Sequence, residues 1–319
     1  MISPASFALA YALDWVIGDP AWLPHPVRWM GRMIKGGESL VRRCTRTPSS
    51  ELVAGLVLTV IVVSIFGFGS WILLRWLGVW NPKLAFAVSV YLAASTLATR
   101  SLLDEAQAVR CFLVNADLPS ARQQVARIVG RDTHELNEAE VTRAVIETLA
   151  ESASDGIVAP MFYLAIGGVP AALAYKAINT LDSMIGHRDK HYEFFGKCAA
   201  RLDDVASFIP ARVTALLLVC AAWTLHLDWR GAWRIMRRDG EKHKSPNAGR
   251  TEAAMAGALG VRIGGTNFYD GERHDGQYLG DVRNGLDDQA LRNALRLTGC
   301  VSILMFALCL PVRLLVRWY

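Results

Sequence analysis

No two of the six cysteines (Cys44, Cys111, Cys198, Cys220, Cys300 and Cys309) stand in a C-x-x-C pair. A zinc ribbon, a dithiol redox motif and a disulfide framework are therefore not expected, and cysteine inside an apolar run behaves as a small hydrophobe. The phosphate-cradling G-x-x-x-x-G-K-[ST] loop is absent, and GALGVRIGG, the densest glycine pattern, is not G-x-G-x-x-G either. The first residues, MISPASFALAYALDW, lack a basic leader and an A-x-A-like site, so no cleaved signal peptide is expected. Charge is scarce, at 20% of residues. The net +5 is concentrated where Arg28, Arg32, Lys35, Arg42, Arg43 and Arg46 crowd one stretch opposed only by Glu38. Beside an apolar run such a cluster reads as a membrane-surface anchor, and no nucleic-acid partner is expected.

What the chain has in place of charge is long greasy runs: 52% of residues are hydrophobic and the mean hydropathy is positive. The expectation is an all-α, polytopic integral membrane protein with about four to five transmembrane or re-entrant helical segments and helical cytoplasmic loops. Leu52 to Leu74 is the clearest span, and Leu84 to Thr99 follows it across a tight turn at Asn81-Pro82. Ile157 to Tyr175 is interrupted by Gly167-Gly168-Val169-Pro170, which predicts a helix-break-helix. Val213 to Leu227 and Leu297 to Val312 complete the set, while Ile2 to Ile17 is short for a span. Residues 1–319 read as one membrane-embedded domain carrying a soluble helical segment at about 100–154 and a basic, glycine-rich loop at about 228–296. Gly18 to Gly31, rich in proline, reads as a structured loop that presents Asp19, His25 and Arg28.

The stretch from Glu151 to Arg212 is where charge enters apolar sequence: Glu151, Asp155, Lys176, Asn179, Asp182, Arg201, Asp203, Asp204 and Arg212. A charge near the bilayer centre costs about 2.5–3.5 kcal/mol on the insertion scale, so such groups face a cavity, a partner or a ligand. Internal ion pairs that only fix helix packing are the plainer alternative. Glu147, Glu151 and Asp155 recur at four-residue steps, an accumulation of hard oxygen ligands that suits Mg²⁺ and is also an ordinary polar helix end. Their neighbours Glu140 and Arg143 share a stripe with them that reads first as a solvated face. Lys176, Asn179, Ser183 and Gly186 fall on one helical face, with Asp182 beside it, and offer an ammonium, an amide and a hydroxyl to a phosphate. In RLDD, Arg201 either pairs with Asp204 or leaves both aspartates to a metal. HKSPNAGRTE gathers His243, Lys244, Ser245, Asn247, Arg250 and Glu252 around a bent backbone, as anion-holding turns and ordinary loops both do.

GDPAWLPHPVRWMG, ESASDGIVAPMFY, GGVPAALAYKAINTLDSMIGH, AARLDDVASFIPARVTALLL and SPNAGRTEAAMAGALGVRIGG together resemble, in order, the adenosylcobinamide-phosphate synthase family of cobalamin biosynthesis. The likeness runs from near Leu13 to near Gly280. It implies a multi-pass enzyme of the cell inner membrane that joins the propionate carboxylate of adenosylcobyric acid to (R)-1-amino-2-propanol or its O-phosphate. ATP is the implied cosubstrate, Mg²⁺ the implied cofactor and an acyl phosphate the implied intermediate. On that resemblance Glu151, Asp155, Asp203 and Asp204 are expected at the metal. Lys176, Asn179, Arg201, Arg212, Ser245 and Asn247 are expected at ATP and its phosphates, and Lys176, Asp182 and His243 at the chemistry, with Asp182 or His243 taking the amine's proton. In the ESASDG stretch, where the family carries an asparagine, this chain has Ala153 and Ser154. Expected partners are the lipid bilayer and the two small substrates; self-association, or association with other late cobalamin-pathway enzymes, is left open. The rival readings are a corrinoid or small-molecule membrane transporter, which predicts inverted repeats that the sequence does not show, and a non-catalytic inner-membrane scaffold.

Overall fold

The computed structural model describes residues 3–20, 22–44, 47–187, 191–269 and 271–315, so Arg46 of the basic cluster lies outside the described residues. In chain order the helices are α1 (Pro4–Ile17), α2 (Pro26–Val41), α3 (Pro48–Trp80), α4 (Pro82–Ala94), α5 (Thr99–Val114), α6 (Leu118–Val125) and α7 (Glu138–Ser152). They continue as α8 (Ala159–Ile185), α9 (Lys197–Ala206), α10 (Phe208–Thr224), α11 (Trp229–Asp239), α12 (Ala248–Leu259) and α13 (Asp288–Leu315). A π-helical turn, Ala153–Val158, connects α7 to α8. Among the described residues the only strands are β1 (Arg262–Tyr269) and β2 (Glu272–Gly280), an antiparallel pair.

Four helical stretches are long and apolar enough to cross a membrane: Pro48–Trp80, Pro82–Val114, Glu138–Ile185 and Asp288–Leu315. A fifth results if α9 and α10 together make one broken span, so the chain is a helical, polytopic membrane protein as its composition predicts. Prolines open α1, α2, α3 and α4, the position where a missing N–H costs nothing. Asn81 both ends α3 and caps α4, its side-chain oxygen accepting from the N–H groups of Lys83 and Leu84 at 3.1 Å each. The break expected between Ile157 and Tyr175 falls at Gly168, whose φ of 69° and ψ of −160° suit glycine alone.

The first compact unit comprises Met1–Ala98, Ala159–Ser207 and Phe306–Tyr319. Its core includes Phe7, Met30, Ile34, Leu58, Leu164, Tyr175 and Leu181. Gly55 on α3 permits close approach to the chain ahead of α9, since a Cβ there would lie 1.8 Å from the Phe195 carbonyl oxygen. The proline-rich stretch from Gly18 is a loop only as far as His25, because Pro26 starts α2 instead of preventing it. His25 caps that helix through Nδ1 and binds Asp19 through Nε2 at 3.0 Å, while Arg28 donates to the Pro20 carbonyl. Arg42, expected at a membrane surface, is held within the unit. It pairs with Glu38 at 2.8 Å, donates to the His191 carbonyl and stacks on Phe195.

The second unit comprises Thr99–Val158 and Phe208–Met305. Its centre is α12, whose every residue except Arg250 is buried; it packs on α7, α10, α11, the π-helical turn and both strands. Small residues make this possible: a Cβ on Gly257 would sit 2.5 Å from the Gly231 carbonyl oxygen of α11. The stretch at 228–296 is thus not a loop, as composition suggested, but α11, α12, the hairpin and the start of α13. Its glycines serve close helix packing and the positive φ of Gly264 (80°) and Gly265 (85°), where the β1–β2 register shifts.

Candidate active site

The residues expected at the site divide between the units, six to each. In the first unit, α8 carries Lys176, Asn179 and Asp182, and α9 carries Arg201, Asp203 and Asp204. Asp203 is buried at 8% exposure; it accepts from the Asn179 amide at 3.5 Å and from the Ser207 hydroxyl at 3.4 Å. Ser207 meets the Tyr175 hydroxyl at 3.2 Å, and the Tyr163 ring stacks on Tyr175. Arg201 reaches Asp204 only at 4.0 Å and is 76% exposed, which makes their pairing weak. Lys176 and Asp182 are partly buried on α8.

The second unit holds Glu151, Asp155, Arg212, His243, Ser245 and Asn247. The turn ahead of α12 is tied to itself. Ser245 donates its N–H to His243 Nδ1 at 3.0 Å, and its hydroxyl oxygen accepts from Asn247 N at 3.3 Å and Ala248 N at 3.2 Å. Arg212 donates to Asn247 Oδ1 at 3.3 Å and lies 3.3 Å over the Phe208 ring. Burial dominates the surroundings of His243 and pushes its pKa below the usual imidazole value, so the ring is neutral at neutral pH. With Nδ1 occupied as an acceptor, the neutral ring carries its hydrogen on Nε2. His243 is therefore placed to donate a hydrogen bond, not to accept a proton.

The middle of the α7 stripe, Arg143 and Glu147, is not a solvated face. Glu147 accepts from the Arg131 guanidinium and, at 2.7 Å, from Gly264 N of β1. Arg143 donates to the carbonyls of Gly264 and Thr266 and to Asn267 Oδ1. The hairpin thus covers the polar side of α7, an arrangement that periodicity cannot show because its partner lies more than a hundred residues away.

Glu252, on α12, is a functional candidate that stands beyond the expected set. It is 6% exposed, and burial, reinforced by the fields of Glu147 and Glu151, pushes its pKa well above the usual carboxylate range. Tyr269 shares this environment: burial and the same three glutamates raise its pKa, while Arg131 opposes them. Glu151 is exposed, and Asp155 lies on the π-helical turn, so the regular four-residue spacing assumed for Glu147, Glu151 and Asp155 ends at Ser152. Such turns recur at functional sites.

Among the described residues no three His, Cys, Asp or Glu side chains converge as a protein-made metal cage requires. Mg²⁺ held mainly by phosphate oxygens needs only one or two carboxylates. Glu151 and Asp155, neighbours along one helical path, are a donor set of that chemistry.

The family model described as CobD/Cbib protein matches residues 7–298. The chain is 46% identical over 301 residues to Cobalamin biosynthesis protein CobD of Geobacter metallireducens, covering 93% of this chain and 94% of the relative. It is 44% identical over 307 residues to the protein of that name from Photorhabdus laumondii, covering 95% and 96%. Against Cobalamin biosynthesis protein CbiB of Salmonella typhimurium it is 42% identical over 308 residues, covering 97% of each. No solved structure matches the chain significantly. A match spanning nearly the whole sequence places the motifs around Glu151, Asp203 and Asn247 inside the shared region, and the chain belongs to the CobD/CbiB family of cobalamin biosynthesis proteins.

Proposed function

We propose that the chain is an ATP-dependent acid–amine ligase of the cell inner membrane. It joins the propionate carboxylate of adenosylcobyric acid to (R)-1-amino-2-propanol or its O-phosphate, giving adenosylcobinamide or its phosphate. Family membership supports the corrinoid substrate. The observation that carries the reaction class is buried Glu252 on α12, whose pKa is raised by burial and by the fields of Glu147 and Glu151, in the unit that also holds Arg212 and His243. A buried carboxylate whose pKa is raised by desolvation and by like-charged neighbours marks a candidate functional site.

In this reading Glu151 and Asp155 hold Mg²⁺, which when bound screens the triphosphate so that a carboxylate can approach it. Arg212 and the turn at Ser245 and Asn247 hold ATP oxygens, with Asn247 fixed by the Arg212 contact. His243 donates from Nε2 to a phosphoryl or carboxyl oxygen as charge develops there. Burial favours the protonated form of Glu252, in which that side chain donates where an ionised glutamate could only accept. The carboxylate takes the terminal phosphoryl group with release of ADP, and the amine then displaces phosphate from the acyl phosphate. In the first unit, Lys176, Asn179 and Arg201 are assigned to phosphate. Asp203, which accepts from the Asn179 amide, orients it, and Asp203 and Asp204 are assigned to a second cation. Asp182 is assigned the amine's proton, because His243 is unsuited to take it.

Purified protein in detergent, given adenosylcobyric acid, aminopropanol phosphate and Mg-ATP, should form the amide as ATP is consumed. Corrinoid carried unchanged into vesicles, with no amide formed, would instead establish the transporter reading.

A further inference from the structure

The outer face of α11 is built for contact with something negatively charged and partly apolar. Along Trp229–Asp239 the buried residues are Gly231, Ala232, Ile235, Met236 and Asp239, and the exposed ones are Trp229, Arg230, Trp233, Arg234, Arg237 and Arg238. That alternation is a helix with one side given to the protein and the other to its surroundings. The exposed side is two tryptophans and four arginines with no carboxylate among them. Trp229 is 40% exposed and Trp233 is 42% exposed, large apolar surfaces that a fully solvated helix has no reason to carry.

The four arginines are not equivalent. Arg234 and Arg238 are drawn back to the protein by Asp281, at 3.7 and 2.9 Å, and Arg238 is shared with buried Asp239 at 2.7 Å. Arg230 and Arg237 have no acidic partner within 4.0 Å among the described residues. Each instead lies over a tryptophan of its own helix, Arg230 at 5.2 Å from the Trp229 ring centroid and Arg237 at 5.8 Å from that of Trp233. Each pair therefore presents a cation and an indole together. Along the chain α11 follows directly from apolar α10, which ends near exposed Trp223, and Asp228 caps the start of α11 at Gly231 N.

We propose that this face of α11 docks on the anionic headgroup layer of a lipid bilayer, with Trp229 and Trp233 at the acyl boundary and Arg230 and Arg237 on lipid phosphates. Tryptophan prefers that depth, and arginine at a negatively charged leaflet gains from each phosphate it meets. Charge complementarity selects lipid over a second copy of the chain, since two such faces would set arginine against arginine. The role is separate from the proposed ligase chemistry and uses none of its residues.

The test uses full-length protein in lipid nanodiscs of phosphatidylcholine containing brominated phosphatidylglycerol or, at the same mole fraction, brominated phosphatidylcholine. The emission of Trp229 and Trp233 is obtained as wild type minus Trp229→Phe/Trp233→Phe. Brominated phosphatidylglycerol should quench this component at least about twofold more than brominated phosphatidylcholine, and Arg230→Gln/Arg237→Gln should abolish the excess. Unfolding midpoints close to wild type show that these exposed substitutions leave the fold intact. Should either double variant misfold, the single changes Trp233→Phe and Arg237→Gln repeat the same comparison on one indole–guanidinium pair. A component quenched by neither lipid places the face against water or another protein and overturns the proposal. So does equal quenching by both lipids, or an excess that survives removal of both arginines.

Discussion

The contact between Glu147 and Arg131 allows a sharp prediction about how α7 is held to the hairpin. Their side chains are 12% and 7% exposed, so the pair is largely out of water. Glu147 also accepts from Gly264 N at 2.7 Å, and Arg131 also donates to Asn267. Truncation by Glu147→Ala strands both donors and should cost about 3–5 kcal/mol, the range for breaking a buried ion pair from one side. Glu147→Gln keeps an oxygen for Gly264 and loses only the charge-assisted bond, so its cost should be about 1.5–3 kcal/mol. Removing both charges in Arg131→Gln/Glu147→Gln should cost less than the two single changes summed, by about 1–3 kcal/mol. The assay is thermal unfolding of the wild type, Glu147→Ala, Glu147→Gln, Arg131→Gln and the double variant in one detergent, where each kcal/mol moves the midpoint by about 2–4 °C for a unit of this size. Additive losses in the double variant, or a silent Glu147→Gln, would refute the joint and return α7 to a solvated face.

Because burial and neighbouring glutamates raise the Glu252 pKa in the folded protein, the unfolded chain ionises first as pH rises. Stability contributed by Glu252 is thus greatest below the ordinary carboxylate pKa and falls as pH climbs toward the folded value. Glu252→Gln should be nearly neutral in acid and increasingly stabilising toward pH 7, measured as the difference in unfolding midpoint; a pH-independent difference contradicts the assignment. Gly168→Ala places a side chain at a positive φ inside α8 and should cost about 1–3 kcal/mol in unfolding assays, whereas an unchanged midpoint would show that the helix break is not needed.

Most of the helical order was legible in the sequence, because charge-free runs near Leu52 to Leu74 and Leu84 to Thr99 admit little else. The break at Gly168 was legible too, since Gly-Gly-Val-Pro cannot continue a regular helix. What misled was local composition read without its partner. The proline-rich stretch at Gly18 to Gly31 contains the start of α2, because Pro26 stands where a helix accepts proline. The glycines at 228–296 suggested a loop, yet several are there so that α11 and α12 can touch. The Asp-Gly pair between Tyr269 and Glu272 was an unused hairpin signal. Among site residues, Glu252 lay within a noted motif, but only burial beside Glu147 and Glu151 distinguishes it from the polar residues around it. His243 was visible as a titratable group; its orientation depends on a backbone N–H that sequence does not place.

The most direct measurement follows the oxygen atoms of the proposed reaction. Adenosylcobyric acid carrying heavy oxygen in its propionate carboxylate is supplied with Mg-ATP and aminopropanol phosphate, and the released inorganic phosphate is analysed by mass. The account predicts one labelled oxygen per phosphate, in step with amide formed, because the carboxylate oxygen leaves with the phosphoryl group it attacked. Amide formed with unlabelled phosphate would contradict the acyl phosphate, and ATP consumed with no amide would contradict the ligase itself.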